Sequence, residues 1–151
     1  MTDTRWRPSS VLLVISGILL VGVGIYFLVL RPPLLPEDIR YMRLTPAELQ
    51  SIGPRLTSWL THVFRVMGGY VAATGVLALA LAWTSFRDHR SVAAAGAGIA
   101  GGLSIGLMAA VNFMIHSDFK WLLLAMALVW AASIATFVRE SAVAPEARSG
   151  L

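Results

Sequence analysis

Residues 11–30 read VLLVISGILLVGVGIYFLVL, 20 residues without a charge, and Arg31-Pro32-Pro33 follows at once. An α-helix rises about 1.5 Å per residue, so about 20 apolar residues cross a hydrocarbon layer about 30 Å thick. Proline lacks a backbone donor and collides with the preceding turn, so Pro32-Pro33 stops this helix. The run is longer than the apolar centre of a cleavable leader, and Leu28-Val29-Leu30 offers no small-x-small cleavage site. It is expected to be a retained helix.

Three more runs share this character. Val66–Trp83 supplies 18 residues, extended upstream from Trp59 through Arg65; Val92–Ile115 supplies 24, and Phe119–Val138 supplies 20 with Lys120 only at its start. Backbone groups in lipid must be paired internally, so each run is expected to be helical, and the short alternating segments of a strand barrel are missing. The expected fold class is all-α: an integral membrane four-helix bundle of up-down-up-down topology. Its domain covers 11–138, with spans at about 11–30, 59–83, 92–115 and 119–138. Residues 1–10 form an N-terminal segment, 31–58 an extramembrane loop, and 139–151 a flexible tail.

Composition agrees. Apolar residues make up 57% of the 151-residue chain and charged residues 13%, against about 25% charged in soluble domains. That excludes a disordered chain, a basic nucleic-acid-binding domain and an ordinary soluble enzyme. The absence of cysteine excludes disulfides, thiolate metal sites and thiol nucleophiles. Paired carboxylates within a span, His/Glu zinc spacing, a phosphate-binding loop and a nucleophile elbow are all lacking. A non-catalytic accessory or small-molecule- or lipid-binding role is therefore expected, with no cofactor or metal required by the sequence. The lipid bilayer is the expected partner, together with another membrane protein or a second copy.

Within the loop, Thr45-Pro46-Ala47-Glu48 reads as a capping box with proline at the first helical position, predicting a short helix over 46–52. Gly53-Pro54 then restarts a helix that runs into the second span. The loop carries Arg31, Arg40, Arg43 and Arg55 against Glu37, Asp38 and Glu48, too balanced for a polybasic headgroup site. Cations are shared six and six between the two sides, so charge alone does not orient the bundle. The short basic turn Arg87–Arg90 favours cytoplasmic termini.

Helices in lipid associate where small residues let backbones approach. Ala94, Gly98, Gly102, Gly106 and Ala110 recur at every fourth position of the third span, Gly68 and Ala72 show the same spacing in the second, and Gly17 and Gly24 lie one heptad apart in the first. These stripes are expected to pack inside the bundle, with a homodimer seam through the third span as the alternative. His89 falls at the opposite end from the other histidines and reads as an ordinary loop residue.

Ionisable groups within a span are costly and mark candidate sites. Arg65 is placed about one turn inside the boundary, on a stripe with His62, Gly69 and Ala72. Asn112 and His116 fall on one face of the third span at the same end, and Asp118 follows in the turn. The candidate site is thus a polar pocket of His62, Arg65, Asn112, His116 and Asp118. Three roles are open to it: tying helices together, binding a quinone or lipid headgroup, and haem ligation by His62 and His116. The redox alternative places a quinone or haem near Arg65.

Arg65-Val66-Met67-Gly68-Gly69, followed by Gly75 after a proline-containing first loop, resembles the DoxX-like group of small bacterial inner-membrane proteins. That resemblance implies a four-helix bundle in the cytoplasmic membrane, and for some members an accessory place in redox complexes. It transfers no catalytic residue.

Overall fold

The computed structural model describes residues 6–149, with side chains described as far as Val143. The chain is all-helical: α1 (Pro8–Ile25) continues as a π turn (Tyr26–Leu30), and α2 (Pro36–Met42), α3 (Pro46–Ser51) and α4 (Pro54–Trp83) follow. Then come α5 (Ser91–Gly101), a second π turn (Gly102–Gly106), α6 (Leu107–Met114) and α7 (Lys120–Ser149). Four helical stretches are long and apolar enough to cross a membrane: Pro8–Leu30, Pro54–Trp83, Ser91–Met114 and Lys120–Val143. No strand occurs among the described residues.

The starts follow local chemistry. Proline, which has no donor to lose, opens α1, α3 and α4 within their first two positions. At α3 the Glu48 carboxylate accepts from Thr45 N at 2.8 Å, while Thr45 Oγ1 accepts from Glu48 N at 3.3 Å. The bonds that the Glu48 carboxylate accepts from Thr45 N and from Thr45 Oγ1 hold this exposed group below its usual range, so the cap weakens as pH falls through that lowered value.

α1 lies in the middle. It packs along α4 on one side and along α7 on the other; α5 and α6 pack on α7, and α4 touches α5 only sparsely. The α1–α4 seam is made by four glycines, Gly17 against Gly75 and Gly24 against Gly68, an antiparallel pairing in which each helix contributes one heptad step. A Cβ on Gly24 would fall 2.5 Å from Ala72 N, and one on Gly75 would fall 2.7 Å from Gly17 O. No side chain fits there.

In α5 and α6 the buried stripe is Ala93, Ala97, Gly101, Ile105 and Ala109, one residue away from the expected Ala94-Gly98-Gly102-Gly106-Ala110 stripe. Every-fourth-residue spacing drifts by about 40° per step on a plain α-helix. The π turn at Gly102–Gly106 takes up that drift and keeps the stripe on one side. Trp130 of α7 chooses the stripe. Its Nε1 donates to Ala97 O at 2.9 Å, and its indole fills the space where a Gly101 Cβ would stand. A Cβ on Gly98 or Gly102 would meet nothing within 4 Å, and one on Gly106 would come closest to the Gly101 carbonyl of its own helix, at 3.3 Å. Of the small residues expected to pack, Gly68 and Ala72 lie in a seam, whereas Gly98, Gly102 and Gly106 do not.

Beyond residue 138, α7 continues as helix to Ser149. Glu140 anchors the extension. Its carboxylate accepts from Ser9 N at 3.1 Å and from Ser9 Oγ at 2.7 Å, tying the last helix to the start of α1.

Gly24→Ala should destabilise the fold by about 1–3 kcal/mol, because the added methyl must push backbone aside. Gly98→Ala should be neutral or stabilising by up to about 1 kcal/mol. Unfolding by dodecyl sulfate titration in mixed micelles measures both.

Candidate functional site

The site begins where α1 ends. The π turn carries Arg31 N back to donate to Tyr26 O at 2.8 Å, after which Arg31 is extended. Its guanidinium meets α2, a helix not anticipated from the loop sequence. Pro36 sits at the start of α2, and Glu37 and Asp38 lie in the first turn, where the helix dipole favours negative charge. Asp38 Oδ2 accepts from Leu35 N at 2.9 Å, capping α2, and from Arg31 Nη2 at 3.0 Å. Arg31 Nη1 donates to Pro32 O at 3.0 Å, and the guanidinium carbon lies 3.3 Å from the Phe64 ring centroid.

The Arg31 side chain is 7% exposed and that of Asp38 19%. Burial pulls the Arg31 pKa down from its ordinary value, and the charge and hydrogen bond of Asp38 oppose that pull. An arginine begins high enough that it keeps its proton. The pair is thus a mostly buried ion pair, with two guanidinium N–H groups bonded within the chain, one to Asp38 and one to Pro32 O.

This pair stands at one end of a cleft of about 1250 Å³ bordered by α1, α4, α6 and α7. The cleft exists because α4 is drawn onto α1 while α5 and α6 lean on α7. Gly22 forms part of its wall, with no atom within 4 Å of where a Cβ would stand. Met67, Leu103, Leu107 and Met126 supply apolar surface from the other helices. Both π turns border the cleft, one through Tyr26 and Phe27, the other through Leu103 and Ser104. Its volume exceeds the roughly 300–1,000 Å³ of ordinary small-molecule pockets, so it has room for a chain-bearing molecule.

Glu37, also lining the cleft, is 4% exposed. Ser117 Oγ donates to its Oε1 at 3.2 Å, stapling α2 to the turn between α6 and α7. Its other oxygen receives no hydrogen bond from the described residues. Asn112 stands close by along the chain, since Ser117 N donates to Asn112 O at 2.9 Å. Asn112 Nδ2 donates to Met108 O at 2.8 Å.

Of the expected pocket residues, only Asn112 lines this cleft. His62 and Arg65 are exposed on α4. His116 is exposed in the left-handed region at φ 54°, and Asp118 is exposed and bonded to Arg40 Nη2 at 3.0 Å. The pocket of five is therefore corrected: the structure does not bring them together. The packed face of α4 is Gly68, Val71, Gly75, Ala78 and Ala82, whose centre lies about 100° around the helix from Arg65. Gly69, expected on an inward stripe with Arg65, has nothing within 4 Å of where a Cβ would stand, whereas its neighbour Gly68 meets α1. The inward guanidinium is Arg31. The sequence signal for its partners is Pro36-Glu37-Asp38, a helix start that the near balance of charge across the loop conceals.

His89 also departs from expectation. It is half-buried, stacks on Phe137 with ring centroids 4.5 Å apart, and places Nε2 3.1 Å from Glu140 Oε2. It ties the turn after α4 to α7, at the end remote from the cleft mouth.

Compared with known protein families, curated proteins and solved structures, the chain matches none of them.

Removing one partner of a mostly buried pair strands the other. Arg31→Ala should cost about 3 kcal/mol of stability, and Arg65→Ala less than about 0.5 kcal/mol. The same denaturant titration ranks them.

Proposed function

We propose that the chain is an integral membrane protein, an up-down-up-down four-helix bundle of a bacterial inner membrane, which binds an amphipathic small molecule in its intramembrane cleft without chemically altering it. The observation that carries this reading is the cleft itself: apolar along its length, polar at one end, and open between α4 and α6. A lipid-soluble chain would lie against the aliphatic walls while its polar end sits near Arg31, Glu37 and Asp38. The two π turns on its border support a binding role, because such turns recur at functional sites in helices.

In this reading the termini face the cytoplasm. A membrane-protein partner or a second copy would pack on the open small-residue face at Gly98 and Gly102. Membership of the DoxX-like group stays a proposal on the Arg65–Gly69 motif. The redox alternative loses its anchor, since Arg65 is not among the cleft residues.

Gly22→Phe tests the reading. A ring at this position projects into empty space, so the bundle should fold as well as before, helped by the loss of a helical glycine. Lipid and small molecules that co-purify in mild detergent, counted by mass spectrometry, should fall to background in this variant. Equal recovery from both proteins would contradict a binding cleft.

A further inference from the structure

Three charged residues line the cleft, Arg31, Glu37 and Asp38, one cation against two carboxylates. Arg31 is already committed: Nη2 to Asp38, Nη1 to Pro32 O, and its face to the Phe64 ring. At 7% side-chain exposure, little of the guanidinium is open to an anion. Glu37 is left with one hydroxyl donor, from Ser117, although it is 4% exposed. A buried carboxylate is costly until it is paired, and among the described residues no cation besides Arg31 lines the cleft.

Aromatic rings surround this end. Tyr26 and Phe119 lie with centroids 6.3 Å apart, Tyr26 meets Phe27 edge-on at 5.6 Å, and all three line the cleft. Rings beside a carboxylate suit a weakly hydrated organic cation, which ring faces attract and which needs no directional acceptor. We propose that the ligand of the cleft is an amphiphilic cation: an amine or quaternary ammonium head seated against Glu37, Tyr26 and Phe119, with its alkyl chain running past Gly22 toward Met126. The inference rests on the cleft being a binding site and names the charge of what fills it. An anionic head, such as a fatty acid or a phosphate monoester, would face the uncompensated negative charge.

The test uses the full chain in phosphatidylcholine nanodiscs, with binding to empty discs subtracted. Three probes share one tail and differ in head: dodecyltrimethylammonium, dodecanol and dodecanesulfonate. The ammonium should bind saturably and about tenfold tighter than the sulfonate. Glu37→Gln, which removes the charge and keeps an oxygen for Ser117, should abolish that preference. Ser117→Ala, which keeps the charge, should retain the preference.

Equal affinity for the three heads, tighter sulfonate binding, or a preference that survives Glu37→Gln would overturn the cationic head and leave the cleft reading standing. Saturable binding of none of the probes would sink the cleft reading itself. A lysophosphatidylethanolamine probe that binds as tightly as the ammonium would assign the site to a zwitterionic headgroup and overturn a ligand of net positive charge. Should Glu37→Gln misfold, the ranking of the three probes on the unmodified chain still decides the sign of the charge.

Discussion

The close approach of α1 and α4 at Gly17–Gly75 and Gly24–Gly68 governs the rest of the structure. In an apolar solvent no hydrophobic force draws helices together, so contact area and close packing decide which surfaces meet. Four glycines in heptad register allow backbone atoms of one helix to touch those of the other, and no other pair of helices in this chain is matched so extensively. α4 is thereby committed to α1. α5 and α6 are committed to α7 by a different device, one indole seated on Gly101 and bonded to Ala97 O. Two strong seams on opposite sides leave the remaining side of the ring unclosed.

That gap would be an unremarked packing defect if its end were apolar. Instead the chain turns sharply through a π turn, delivers Arg31 to the first turn of α2 and holds it there with Asp38. The ion pair is neutral in sum and mostly shielded from water, so its main effect is positional: it fixes α2 across the mouth. Glu37, the neighbour of Asp38, is carried along to face the cleft, and Ser117 steadies it from the turn before α7. A polar end and an apolar channel thus arise from a single arrangement of loop and helix.

Much of this was legible in the sequence. Length and apolarity located the four long helices, because both follow from composition along the chain. The capping box at Thr45 and the proline starts were readable because they are local. Facing was harder. Gly68 and Gly69 are adjacent and equally small, and only the position of Gly24 on another helix shows which one packs. The third span was read as a uniform helix, and an unforeseen π turn kept the neighbouring stripe in register instead. Arg31 looked like the end of a span and Asp38 like one charge among seven in a loop. Their pairing depends on α2 folding back, a tertiary event that the helix-start signal at Pro36 hinted at but did not aim.

The central claim is that the bundle is open between α4 and α6, with Gly22 on the open side. Cysteine is absent from the chain, so a single spin label can be attached at Gly22→Cys, with Val76→Cys on the outer face of α4 as the reference. Oxygen concentrates in the bilayer interior, and its collisions with each label are read by power-saturation electron paramagnetic resonance. The account predicts that the Gly22 label collides with oxygen about as freely as the Val76 label. A Gly22 label shielded from oxygen, beside a Val76 label that is not, would contradict it.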